Sequence, residues 1–170
     1  MYLPFISGRG NRGGSFAAGP AAPETAFSNT YSVSCDGTND YVDLGTGPNT
    51  SFNDNSGDFT VSIWFNFDAN VSYDTLISNG YQVQIYLVGS KVKTWLSKTS
   101  GASYLIAGAA TDTTFSSGTW YHLGIIRSGT SFKYYVGGDE DSSHTGTGET
   151  HISTNALWVG NFTGLSYYLD

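Results

Sequence analysis

Carboxylates are the first side chains in this sequence that could do chemistry. Asp139, Glu140 and Asp141 form the densest cluster, and hard oxygen ligands of this kind bind Ca²⁺ in proteins. The cluster follows the turn Gly137-Gly138 and lacks the glycine that an EF-hand loop requires. Two hypotheses stay open: Asp139 and Asp141 are weak candidates for calcium ligands, or the cluster is a charged turn that keeps a sheet edge soluble.

Nucleophilic catalysis requires a nucleophile held beside a base. The three histidines, His122, His144 and His151, show no pairing with a nucleophile, and Cys35 is the single cysteine of the chain. A lone cysteine forms no intramolecular disulfide and no thiolate metal site. We therefore predict no catalytic residues and no cofactor.

A glycine pattern near the start of the chain resembles a nucleotide-binding motif only in its letters. Residues 8–13 read Gly-Arg-Gly-Asn-Arg-Gly, but the Gly-x-Gly-x-x-Gly motif works between a strand and a helix whose N-terminus binds the pyrophosphate. No helical pattern follows here. We interpret the match as coincidence.

Aromatic side chains provide the best candidates for binding. Tyr86, Trp95 and Tyr104 lie on the opposite parity to the apolar positions or in polar surroundings, near Gln82 and Gln84. Flat rings beside hydrogen-bonding side chains suit sugar stacking, and they suit a protein interface equally well. A second set of large side chains is predicted to lie in the core: Phe59, Ile63, Phe65, Trp120 and Trp158.

Composition favours an all-β domain without nucleic acid or membrane partners. Aromatic residues make up 15% of the 170 residues, and the formal net charge is −7. Aromatic and hydroxyl-rich chains suit pleated surfaces, whereas nucleic-acid-binding domains normally carry a basic stripe. No window approaches the length of a membrane span, and we expect no signal peptide.

The first 26 residues differ from the rest of the chain. They hold five glycines and three prolines and show neither strand nor helix periodicity. A segment of this kind buries too little apolar surface to offset its chain entropy. We predict an N-terminal assembly arm over residues 1–26 that docks on other subunits. Its candidate contact residues are Tyr2, Leu3, Phe5, Ile6, Arg9 and Arg12.

From residue 27 onward the pattern is strand, turn, strand. Alternation is clearest over 59–67 and 81–87, and 91–96 completes a hairpin with the second run. Six further strands are predicted, over 30–35, 40–44, 102–108, 120–127, 131–136 and 156–160. Many short strands joined by glycine turns predict an antiparallel sandwich or jelly roll over residues 27–170.

Several local patterns in order resemble the laminin G-like branch (LamG or pentraxin type) of the concanavalin A-like lectin/glucanase superfamily. The patterns are Tyr31 to Leu44 around Asp36-Gly37, Phe59 to Phe67, Ser117 to Leu123, Phe132 to Gly138, and Leu157 to Gly160. The resemblance implies a two-sheet antiparallel jelly roll. It also implies Asp74 as a further weak candidate for calcium binding, and His122 as a structural residue.

The superfamily includes glycoside hydrolases. A resemblance of this chain to those enzymes would require paired carboxylates on one strand. The only glutamates are Glu24, Glu140 and Glu149, and none lies in an apolar-alternating strand. A hydrolase is therefore the least favoured hypothesis.

By analogy with phage particles, we expect a non-enzymatic virion structural protein, a capsid decoration or tail-appendage component assembled in the host cytoplasm. Its arm would contact other virion subunits within an oligomeric assembly. The alternative is a carbohydrate-binding adhesin or lectin module that binds cell-surface glycans.

Overall fold

The computed structural model describes residues 31–48, 52, 57–68, 73–99, 103–148, 150, 154–162 and 169. Ten strands are formed: β1 (Val42–Asp43), β2 (Phe59–Phe65), β3 (Asp74–Ser78), β4 (Val83–Val88), β5 (Lys91–Thr99), β6 (Ser103–Ala110), β7 (Tyr121–Ser128), β8 (Ser131–Val136), β9 (Asp139–Thr145) and β10 (Trp158–Val159). The predicted arm, residues 1–26, lies outside the described residues.

The strands form two antiparallel sheets, which confirms the predicted all-β jelly-roll class. One sheet has six strands in the order β1-β10-β3-β4-β5-β6, and the other has four in the order β2-β7-β8-β9. Because side chains alternate along a strand, every second side chain points into the space between the two sheets. The six-stranded sheet contributes Val83, Ile85 and Leu87 to the core, and the four-stranded sheet contributes residues such as Phe65 and Leu123.

Two turns show why glycine is needed where strands reverse. Gly129 joins β7 to β8 with φ +57°, and Gly137 joins β8 to β9 with φ +64°. Both angles lie in the left-handed region that glycine adopts without a Cβ clash. The predicted turns at Ser128-Gly129 and Gly137-Gly138 are confirmed.

Three sequence predictions are corrected. Residues 31–35 form no strand, although a strand was predicted over 30–35. Asp139, Glu140 and Asp141, for which a charged turn was one of two open hypotheses, begin the edge strand β9 (Asp139–Thr145). An edge strand tolerates these polar residues because one of its faces is exposed to water. Trp120 was predicted to lie in the core, yet it is 51% exposed, because it shares parity with the outward positions of β7.

Of the other core predictions, Phe65, Phe59 and Ile63 are confirmed and Trp158 is wrong. Phe65 is buried, and Phe59 and Ile63 are partly buried and pack against the core. Trp158 is half-buried on the outer side of the six-stranded sheet, where it stacks on Tyr41 with ring centroids 4.5 Å apart. Among the described residues, none belongs to a helix long and apolar enough to cross a membrane.

Candidate functional site

The outer face of the six-stranded sheet carries a stacked aromatic pair. Tyr86 on β4 and Trp95 on β5 have ring centroids 4.7 Å apart and planes within 10° of parallel. Tyr73 and Tyr86 pack edge to face, with ring centroids 5.1 Å apart. Because their neighbours along β4 point into the core, these rings lie on the side of the sheet away from the core.

Two small residues on β6 make room for the Trp95 indole. Ala107 is the register partner of Trp95 and is exposed, and the adjacent Gly108 has φ +68°. A Cβ at Gly108 would lie 3.0 Å from Cζ2 of Trp95. The indole therefore stacks on Tyr86, with Cζ2 of its six-membered ring beside the bare backbone of Gly108.

A groove runs along β6, the edge strand beside Trp95. Its volume is about 640 Å³, and its lining includes Tyr104, Ala107, Lys91 and His144. Tyr104 is 39% exposed at this groove. Ligand sites in proteins are typically concave and combine apolar rings with a few polar groups. The groove has this combination, and Trp95 lies beside Gly108, one of its lining residues.

The polar groups of the groove are fixed by backbone carbonyls. The Lys91 ammonium donates to the carbonyl oxygens of Thr111 and Asp112, each at 3.0 Å. His144 Nε2 lies 2.9 Å from the Ala110 carbonyl oxygen, which also accepts a hydrogen bond from Ser142 Oγ at 3.2 Å. These contacts join the edge of β6 to the edge of β9, so the groove has two rigid walls.

The three predicted binding aromatics have different environments. Trp95 and Tyr104 are accessible on the outer face, as the pattern predicted. Tyr86 is only 8% exposed, so its interpretation as an exposed ring is wrong. It is covered because Trp95 and Tyr73 pack on it, and it supports Trp95 instead of meeting solvent.

The three weak calcium candidates are not brought together. Asp74 is fully buried in β3 of the six-stranded sheet, whereas Asp139 and Asp141 lie on β9 of the four-stranded sheet. In the part of the chain that the structure describes, no three His, Cys, Asp or Glu side chains converge on a metal-sized site.

The Asp141 carboxylate has a structural partner. It accepts hydrogen bonds from the backbone N–H groups of Asp112 and Thr113, at 2.7 and 2.8 Å. Burial raises the pKa of Asp141, but hydrogen bonds from Thr113, Asp112 and Ser142 outweigh it, so the pKa lies below its usual value. This carboxylate fixes the segment after β6 to β9.

A second exposed aromatic surface was missed by the sequence reading. Trp64 on β2 is 63% exposed on the outer face of the four-stranded sheet, beside His122 on β7. Strand parity predicts this exposure, since Trp64 lies on the same polar face of β2 as Thr60 and Ser62. The arm candidates Tyr2, Leu3, Phe5, Ile6, Arg9 and Arg12 lie outside the described residues and stay predictions.

Solved structures share this architecture at low sequence identity. A CBM40 domain of Ruminococcus gnavus IT-sialidase, bound to α2,3-sialyllactose, has 12% identity, a TM-score of 0.57, and coverage of 76% of each chain. A candidate carbohydrate-binding protein from Bacteroides ovatus has 12% identity and a TM-score of 0.53, over 68% of this chain and 34% of that one.

Domains LG4-5 of the mouse laminin α1 chain have 17% identity and a TM-score of 0.50, over 78% of this chain and 35% of theirs. This chain thus spans about a third of the laminin and Bacteroides chains. No curated protein sequence matches it. The family model of the concanavalin A-like lectin/glucanases superfamily matches residues 36–170, and the chain therefore belongs to that superfamily.

Proposed function

We propose that this domain is a non-catalytic carbohydrate-binding module whose saccharide site consists of Trp95 and Tyr104 beside the β6 groove. The observation that carries the proposal is the fixed, half-buried indole of Trp95 next to a groove of about 640 Å³. A ring that is already immobilised loses little conformational entropy when a ligand stacks on it.

The chemistry of the groove suits a saccharide. The apolar face of a pyranose stacks on an indole, while its hydroxyl groups need hydrogen-bonding partners at the edges. Lys91, Asp112, His144 and Thr145 line the same groove as Tyr104 and supply polar atoms. The superfamily fold is shared with a CBM40 domain whose structure contains α2,3-sialyllactose, which supports the same class of ligand.

The carboxylates support a binding role over hydrolysis. Retaining hydrolysis needs two carboxyl groups about 5–5.5 Å apart, one of which acts as a nucleophile. Glu140 forms an ion pair with Lys133 at 2.8 Å, and Asp141 is held by two backbone N–H groups. We expect no release of reducing ends when the protein is incubated with β-glucan.

A glycan array with the full chain tests the proposal, followed by calorimetric titration of the best oligosaccharide. We expect a dissociation constant in the millimolar to micromolar range, and Trp95→Ala should weaken binding by at least about tenfold. Tyr81→Ala is the matched control, because Tyr81 is exposed and contacts Phe162 rather than Trp95. Equal affinities for the two variants, or no binding of any glycan, would contradict the proposal.

The predicted virion role depends on residues 1–26 and therefore stays a prediction. The carbohydrate-binding alternative is better supported, because both the superfamily and the described surface favour it. The two roles are compatible, since an arm that joins an assembly would leave the β-domain available for a ligand.

A further inference from the structure

The outer face of the four-stranded sheet carries a largely exposed indole on β2. On β2, Val61 and Phe65 are buried, whereas Trp64 is 63% exposed between them. Exposing most of an indole leaves a large apolar area in contact with water. A ligand that stacks on Trp64 would remove this area from solvent.

A polar pair lies immediately beside this ring. His122 on β7 is the register partner of Trp64, and the two rings have centroids 5.2 Å apart with planes at 39°. His122 Nε2 and Ser62 Oγ are 2.9 Å apart and share a hydrogen bond whose direction depends on the imidazole tautomer. Among the described residues, no group hydrogen-bonds the other ring nitrogen, Nδ1, which is thus available to a ligand.

A buried glycine lies next to the polar pair. Gly124 on β7 lies between Ser62 on β2 and Tyr135 on β8 in the sheet register. A Cβ at Gly124 would meet the Cβ of Tyr135 at 3.5 Å, an ordinary contact distance. Gly124 contributes no side chain to the outer face and is itself buried by its neighbours. We call Ser62, Trp64, His122, Gly124 and Tyr135 the Trp64 platform.

We propose that the Trp64 platform is a second saccharide site that binds an uncharged pyranose chain. The apolar face of one sugar would stack on Trp64, with hydroxyl groups bonded to Ser62 Oγ and His122 Nδ1. The platform has no carboxylate or ammonium group, and the nearby Lys133 and Glu140 neutralise each other in an ion pair. This absence of net charge matches a neutral sugar better than a charged peptide or an acidic glycan.

The consequence is a bivalent module. Trp95 lies on the outer side of the six-stranded sheet and Trp64 on the outer side of the four-stranded sheet, with the core between them. One domain would then hold two saccharide chains, which raises avidity for a dense polysaccharide without any new contact. This inference extends the proposed function, and the two can fail separately.

Indole N–H signals in a ¹H–¹⁵N NMR spectrum of the full chain test the inference directly. The chain has four tryptophans, so each of the four signals is assigned by its loss in a single Trp→Phe variant. The probes are cellohexaose and xylohexaose, with 3′-sialyllactose as the charged comparison. We expect both neutral probes to shift the Trp64 signal, and to do so in Trp95→Ala as well.

Variants of the platform sharpen the result. His122→Gln should reduce the affinity measured at the Trp64 signal by about fivefold or more, since it removes the imidazole partner of Ser62. Ile126→Ala is the control, because Ile126 is exposed on the same face of β7 but lies outside the platform. An equal effect of both variants would overturn the site.

The outcomes separate the two proposals. If only the Trp95 signal shifts, the second site is wrong and the proposed function stands. If neither signal shifts with any probe, both proposals fail. If the Trp64 signal instead moves with protein concentration and sedimentation shows a dimer that Trp64→Ala dissociates, the platform is a self-association surface and the saccharide inference is overturned.

Discussion

Arg127 shows how a single buried cation organises the loops of the four-stranded sheet. Its side chain is 2% exposed, with the guanidinium carbon 5.5 Å from the centre of the Phe132 ring. The guanidinium donates to the carbonyl oxygens of Gly129 and Gly148 and to the Thr150 hydroxyl. Burial lowers the pKa of Arg127, although the charge of Asp58 acts in the opposite direction.

Replacing this cation should destabilise the fold more than replacing a surface cation. Arg127→Met leaves the two carbonyls and the hydroxyl without their donor, so we expect a loss of about 2–4 kcal/mol in the free energy of unfolding. Urea denaturation measures it. Lys133→Met is the matched control, because Lys133 pairs with Glu140 at the surface. Equal midpoints for the two variants would show that Arg127 is not a structural residue.

Tyr134 makes stability depend on alkaline pH. Burial raises its pKa to about 12 from 10.0, while the Thr94 side chain acts in the opposite direction. Because the folded-state pKa is raised, the contribution of neutral Tyr134 to the free energy of unfolding is complete below pH 10. It is lost as pH rises toward 12. At a shift of this size the loss is about 3 kcal/mol.

Chemical denaturation at about pH 9 and about pH 12 checks this dependence, by comparing the wild-type chain with Tyr134→Phe. As pH rises, the free energy of unfolding of the wild-type chain should fall by roughly 2–3 kcal/mol more than that of Tyr134→Phe. Tyr135→Phe, at the neighbouring position on the outer face, should keep the wild-type profile. A constant difference across this range would disprove the assignment to Tyr134.

At the scale of the strands, Gly108 couples the shape of β6 to the position of Trp95. Gly108→Ala would add strain at φ +68° and place a Cβ 3.0 Å from the indole. Gly118→Ala is the control, because Gly118 has φ +72° with nothing within 4 Å of its Cβ position. We expect Gly108→Ala to cost about 1–2 kcal/mol more than Gly118→Ala, from the steric contact alone.

The same pair of variants tests the saccharide site. Gly108→Ala should weaken binding of the oligosaccharide found for Trp95, because the added Cβ displaces the indole from its position beside the groove. Gly118→Ala should bind as the wild-type chain does. Calorimetric titration of both variants measures this, and unchanged affinity in Gly108→Ala would show that Gly108 does not position the saccharide site.

Strand parity predicted most of the sheets and little of the site. The strands over 59–65, 83–88 and 131–136 follow apolar alternation, which the sequence shows directly. β9 was not predicted, because Asp139–Thr145 has no apolar face of its own and is held by pairing with β8. Local pattern carries no information about such pairing.

The site depended on contacts between strands that no single strand encodes. Tyr86 looked exposed by parity, but Trp95 from the next strand covers it. Ser62 and Tyr135 are brought alongside Gly124 only by the register of three strands. Trp64 lies on the polar face of β2 by strand parity, but it was not among the predicted binding aromatics.

At the scale of the whole molecule, the core belongs to one compact unit, Val33–Asp170. Every core residue that the structure describes lies between Phe52 and Leu169. Since apolar burial drives folding, a chain lacking residues 1–26 should keep its fold. We expect its thermal midpoint to stay within about 2 °C of the full chain, a shift corresponding to well under 1 kcal/mol. Circular dichroism measures this midpoint.

The same deletion decides whether the predicted arm drives assembly. If residues 1–26 dock on other subunits, analytical ultracentrifugation should show larger species for the full chain that disappear on deletion. Replacing Leu3, Phe5 and Ile6 with serine should reproduce the loss, because it removes the apolar contact residues but keeps the chain length. An unchanged mass distribution would end the assembly hypothesis. A thermal midpoint lowered by several degrees would instead place the first residues within the fold of the domain, because only residues that bury area on folding contribute to its stability.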